Sequence, residues 1–131
     1  MGTPADDTRA RRILILIAED DAAVRRSMQL LLRAHEYDVR AYTSGSALLS
    51  DPYALSGNCL VVDYRMPDVT GFDILRDLRA EGWLGAAILV TGYYGTDLVN
   101  RATQEGFDAV LEKPLMDQVL LNTIAGVIAA R

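Results

Sequence analysis

The chain has 131 residues, close to the roughly 150-residue length of one domain, and at that size folding removes about two-thirds of the accessible surface without covalent staples. Half the residues are hydrophobic, 24% are charged and the net charge is −5. This is globular composition, and it argues against direct nucleic-acid binding through a Lys- and Arg-dominated surface. The single cysteine, Cys59, and single histidine, His35, exclude an internal disulfide, a Cys-rich zinc site and a multi-His metal centre.

Residues Met1–Arg11 lack periodicity and are predicted to be a flexible tail, with the folded domain running from Arg12 to Arg131. These first residues carry no apolar stretch with a cleavage site. The longest apolar run, Ile13 to Ala18, is too short for a bilayer. A cytoplasmic domain without membrane contact is the expectation.

The first strand is predicted at Arg12–Ile17 and is stopped by Glu19-Asp20-Asp21. A helix follows over Asp21–His35, with Val24, Met28, Leu31 and Leu32 on one stripe. Tyr37–Tyr42 alternates apolar with polar and suits a half-exposed edge strand. Thr43-Ser44-Gly45-Ser46 opens a short helix that Pro52 curtails. Cys59–Val62 is a continuous apolar strand ended by Asp63, and a Met66-Pro67 loop leads to a helix over Gly71–Glu81 with Phe72, Leu75 and Leu78 inward. Ala86–Val90 is a buried strand ended by Thr91-Gly92; a helix over Thr96–Glu105 stops at Gly106, a natural left-handed position. Asp108–Leu111 is a short last strand, and Pro114 starts a helix to the C-terminus. On that helix Met116, Val119, Leu120, Ile124, Val127 and Ile128 form the predicted inward stripe, with Leu121, Ala125 and Ala129 extending apolar character around the side.

Five β/α units with continuous apolar strands call for a parallel sheet between helix layers. A doubly wound (βα)5 α/β sheet in the order 2-1-3-4-5, a flavodoxin-like three-layer sandwich, keeps every crossover right-handed and places the alternating second strand at an edge.

In such sheets ligands bind outside the carboxyl ends of the strands, near the switch point between the first and third. Glu19, Asp20 and Asp21 end strand one, Asp63 strand three and Thr91 strand four, while Lys113 follows strand five. Gathered carboxylates repel one another unless a cation is present, and an all-oxygen donor set suits Mg²⁺. Lys113 supplies a point charge for a phosphoryl oxygen and Thr91 a hydroxyl. Asp63 is then a carboxylate placed to attack phosphorus.

Glu19-Asp20, Asp63 within Asp63-Tyr64-Arg65-Met66-Pro67, Gly71, Thr91-Gly92 and Lys113-Pro114 occur in order, each at its strand end. With them the sequence resembles the receiver domain of two-component response regulators over Arg12–Arg131. The resemblance implies a regulatory domain, not an enzyme acting on external substrates. Its chemistry would be acceptance of a phosphoryl group on Asp63 from a sensor histidine kinase, followed by self-directed hydrolysis. It implies Mg²⁺ bound by Asp20 and Asp63 directly, by Glu19 through water and by the Arg65 backbone carbonyl, with Thr91 and Lys113 on the phosphoryl group. The Lys113-Pro114 bond is expected cis. Side chains at Arg65 and Tyr93 would flank the phosphoryl group and modulate its lifetime. The partners implied are the kinase and a downstream output domain or effector protein, with a phosphorylation-dependent homodimer through the last helices and strand as a further expectation. One position departs: where the family carries a switch aromatic, three residues before the lysine, this chain has Val110.

Other classes fit less well. A haloacid-dehalogenase-type phosphatase needs a second Asp two residues after the nucleophile, and position 65 is Arg. A flavodoxin-type electron carrier needs a hydroxyl- and Gly-rich phosphate loop after strand one, where this chain has three carboxylates. His35 reads as a surface or C-terminal capping residue and Cys59 as an inert core thiol.

Overall fold

The computed structural model describes residues 12–131; the predicted tail, Met1–Arg11, lies outside the described residues. Five parallel strands, β1 (Leu14–Ala18), β2 (Asp38–Tyr42), β3 (Cys59–Asp63), β4 (Ala86–Thr91) and β5 (Ala109–Glu112), form one sheet in the order β2-β1-β3-β4-β5. The connections are helices α1 (Ala22–Ala34), α2 (Gly45–Leu49), α3 (Gly71–Ala80) and α4 (Thr96–Glu105), with α5 (Asp117–Ala129) closing the chain. The expected topology is the observed one.

Strand alternation explains the layers. Leu16, Leu60, Val62, Ala87 and Leu89 face α2, α3 and α4, meeting Leu48, Phe72, Leu75 and Ala102. Ile15, Ile17, Val61, Ile88 and Val90 face the other way, onto Met28 and Leu32 of α1 and Leu120 and Ile124 of α5. Each fully buried aliphatic side chain of this kind contributes about 1.5–3 kcal/mol by leaving water. Cys59 lies in the second cluster, and burial pushes its thiol up to about 12. It is the inert core thiol expected.

Element ends follow local chemistry. Asp21 caps α1 by accepting from the Val24 amide, and Thr70 with Asp73 forms a capping box on α3. His35 closes α1 with its ring Nδ1 3.0 Å from the Leu31 carbonyl. Gly106 ends α4 at φ +102°, where a Cβ would be strained.

Several predicted details move. β1 begins at Leu14 rather than Arg12, β2 at Asp38 rather than Tyr37, and β5 occupies Ala109–Glu112. Pro52 opens a separate 3-10 turn, Pro52–Ser56, capped by Asp51. The last helix starts at Asp117, since Pro114 belongs to the turn after β5, where the Lys113-Pro114 bond is cis. Met116 therefore lies before the helix, and Val119 falls off the face that Leu120 and Ile124 define. Leu120 and Ile124 are buried, whereas Met116 at 67% and Val119 at 46% are exposed.

Candidate functional site

Register alone brings the polar strand ends together. Ala18 pairs with Val62, Asp63 with Val90 and Thr91 with Glu112, so Glu19, Asp63, Thr91 and Lys113 form a row across the C-terminal edge of four strands. The row is held by main-chain bonds that continue the sheet: Tyr64 N donates to Val90 O at 2.8 Å and Lys113 N to Thr91 O at 2.8 Å.

Glu19 is 1% exposed, a carboxylate carried into the interior by the end of an all-apolar strand. Lys113 reaches it from across the sheet, with Nζ 3.0 Å from Oε2 and 3.2 Å from Oε1. The same ammonium lies 2.7 Å from Asp63 Oδ2. Burial, followed by the Asp63 charge, pushes the Glu19 carboxyl above its ordinary range, against the pull of Lys113 and the Asp21 amide. Burial disfavours the Lys113 ammonium, but its two carboxylate partners outweigh that and hold its titration above the usual value. Asp20 is exposed at the rim, and one oxygen from each of Glu19, Asp20 and Asp63 lies within 4.8 Å of the others. Three convergent carboxylates of graded burial form an all-oxygen donor set that fits a hard divalent cation.

Thr91 is buried, and its hydroxyl oxygen accepts from the Tyr93 amide at 2.9 Å, which ties the β4–α4 loop to the strand end. The Arg65 amide donates to Asp63 Oδ1 at 3.3 Å. The Arg65 guanidinium stands 4.3 Å above the Tyr93 ring, and Tyr93 is 64% exposed. These two side chains therefore meet each other. Gly71 is where the first turn of α3 passes the phosphoacceptor candidate: a Cβ there would sit 3.0 Å from the Asp63 carbonyl oxygen and 2.8 Å from Leu89 Cδ1. Val110 is half-buried against the cluster that includes Phe72, Leu89 and Phe107, away from the carboxylates.

Two supporting residues escaped the sequence reading. Arg25, one turn into α1, donates to the carbonyl oxygens of Glu19 at 3.0 Å and Asp20 at 3.4 Å. Asp68, at the tip of the loop after β3, accepts from the Gly45 and Ser46 amides of α2. Neither lies on a periodic pattern or at a strand end, so no signal in the sequence marks them.

Comparison with known proteins agrees with this geometry. The family model described as the response regulator receiver domain matches residues 15–125. The transcriptional regulatory protein FixJ of Azorhizobium caulinodans is 34% identical over 108 residues, covering 82% of this chain and 51% of that protein. The response regulator protein TmoT of Ectopseudomonas mendocina is 31% identical over 111 residues, 85% of this chain and 50% of its own length. The chain thus spans about half the length of the curated relatives it matches. Among solved structures, FixJ-N superposes with a TM-score of 0.79 at 27% identity, covering 91% of this chain and 95% of that one. Family model, relatives and fold converge on one conclusion: the chain belongs to the response regulator receiver domains of two-component systems.

Proposed function

We propose that the domain accepts a phosphoryl group on Asp63 in a Mg²⁺-dependent reaction and changes conformation to control an output domain or partner protein. The observation that carries this reading is the position of the Asp63 carboxylate: at a strand end, 2.7 Å from Lys113 Nζ and grouped with Glu19 and Asp20.

In the reaction a carboxylate oxygen of Asp63 attacks the phosphorus of a phosphohistidine; the new P–O bond forms as the P–N bond breaks, and the departing imidazole takes its proton from solvent. Asp20 and Asp63 would hold Mg²⁺ directly, Glu19 through water and Arg65 through its carbonyl; when bound, the ion offsets the negative charge of carboxylates and phosphoryl oxygens. Lys113, already paired to Asp63, follows the charge onto the transferred group, and the Thr91 hydroxyl supplies a further donor. Burial of Glu19 and Thr91 keeps this pole of the site fixed while Asp20 leaves the other side open to a donor.

The donor is read as a sensor histidine kinase in the cytoplasm, and the output as a downstream domain or effector. Exposed Met116, just before α5, and Val119 on it offer apolar surface for a phosphorylation-dependent homodimer. With Val110 in place of an aromatic, the signal leaves through some other group, and the Thr91–Tyr93 link supplies one route.

The test is direct. Purified protein incubated with acetyl phosphate and Mg²⁺ gains one hydroxylamine-labile phosphoryl group, and chelation of the metal abolishes the gain. No gain of mass would contradict the reading.

A further inference from the structure

The loop between β3 and α3 carries the Arg65 carbonyl and is closed upon itself at its roots. Met66 N donates to Val69 O at 3.2 Å, Arg65 bridges Thr70, and Gly71 N donates to Tyr64 O at 2.8 Å. Its tip is tied to a different element. Asp68 Oδ1 accepts from Gly45 N at 3.1 Å and Oδ2 from Ser46 N at 2.8 Å, while Ser44 Oγ takes the Ala47 amide at 3.1 Å. The first three amides of α2 are thereby satisfied, two of them by a carboxylate arriving from the loop. A second contact repeats the tie: Val69 packs so closely on Gly45 that a Cβ there would overlap Val69 Cγ2.

We propose that Asp68 is a positioning residue for the cation site, setting the orientation of the Arg65 carbonyl by pinning the loop tip to α2. This rests on the reading of the site as a Mg²⁺ centre. The peptide plane after Arg65 is held on its amide side by the Met66 N–Val69 O bond, and Val69 sits beside Asp68, so a tip freed from α2 would let that joint shift and the Arg65 carbonyl sample directions that do not converge with the carboxylates. A ligand held in place beforehand costs less entropy to engage, which is how supporting groups raise metal affinity without touching the ion. The Asp68 carboxyl is held down to about 2, chiefly by the Ser46 amide, so the tie stays charged across the working pH range.

Amide chemical shifts followed during Mg²⁺ titration give the half-saturating concentration, and thermal melts without metal give stability. Asp68→Ala is expected to weaken Mg²⁺ binding roughly tenfold, at the low end of what outer-sphere partners contribute. Asp68→Asn keeps one acceptor and falls between parent and alanine variant. Gly45→Ala, which disturbs the same joint from the other side, weakens binding as well and is not additive with Asp68→Ala. A capping role alone would lower the metal-free melting temperature and leave the half-saturating concentration where it was. Parent-like Mg²⁺ affinity in both Asp68→Ala and Gly45→Ala overturns the positioning role while the site reading stands. A parent that binds no Mg²⁺ overturns both.

Discussion

Lys113 Nζ lies 2.7 Å from Asp63 Oδ2 and 3.0 Å from Glu19 Oε2, so one ammonium bridges two carboxylates at the end of the sheet and offsets part of their negative charge. Removing it leaves a buried Glu19 without a cation. Lys113→Ala is therefore expected to cost about 2 kcal/mol at neutral pH, below the full value of a buried pair because Lys113 and Asp63 keep some water. Adding Glu19→Gln should recover most of that loss. Urea unfolding of the three proteins checks it; a Lys113→Ala variant as stable as the parent would contradict the electrostatic account.

Mg²⁺ should raise the melting temperature, because a ligand that binds only the folded state stabilises it in proportion to its occupancy. Asp20 is exposed, so Asp20→Asn should leave the metal-free fold intact while reducing the Mg²⁺-dependent rise. An undiminished rise in that variant would remove Asp20 from the donor set.

Arg65 stacks on Tyr93, with 4.3 Å between guanidinium carbon and ring centre. In the proposed reaction such a pair would cover one approach for the hydrolytic water. Replacing both residues by Ala should shorten the lifetime of the phosphorylated form severalfold in Mg²⁺ at fixed pH. Equal decay rates for parent and double variant would end this role and leave the phosphoacceptor assignment intact.

Tyr42 Oη donates to Asp51 Oδ2 at 2.6 Å, at the outer edge of the sheet. The bond lowers the Asp51 carboxyl, while burial and then Asp51 raise the Tyr42 phenol well above 10. The signs are opposite. Asp51 contributes stability that is present above pH 3.8 and is lost as pH falls through its lowered value. Tyr42 contributes stability that is present below pH 10 and is lost as pH rises toward its raised one. Tyr42→Phe should flatten both limbs of a melting-temperature profile. Limbs as steep as the parent's would contradict the assignment.

The topology and the row of site residues were legible for a shared reason. Continuous apolar strands are a strong signal, and a parallel register then puts the next polar residue of each strand at the same edge. Glu19, Asp63, Thr91 and Lys113 needed nothing beyond this. Asp68 and Arg25 were hidden because an exposed loop acid and a helix-surface arginine look like any others until tertiary contacts choose their partners. Met116 and Val119 were misplaced for geometric reasons: Met116 precedes α5, and Val119, at about 100° per residue, sits about 100° around the helix from buried Leu120 and about 140° from buried Ile124. The stacking of Arg65 on Tyr93 depended on loop rotamers that no periodicity encodes.

The central claim is that Asp63 carries the phosphoryl group. Phosphorylate the protein with acetyl phosphate and Mg²⁺, reduce the acyl phosphate with borohydride, and locate the modified residue by peptide mass analysis. The account predicts one modified peptide, with Asp63 converted to homoserine, and none in Asp63→Asn. Modification at another carboxylate, or equal phosphorylation of Asp63→Asn, would contradict it.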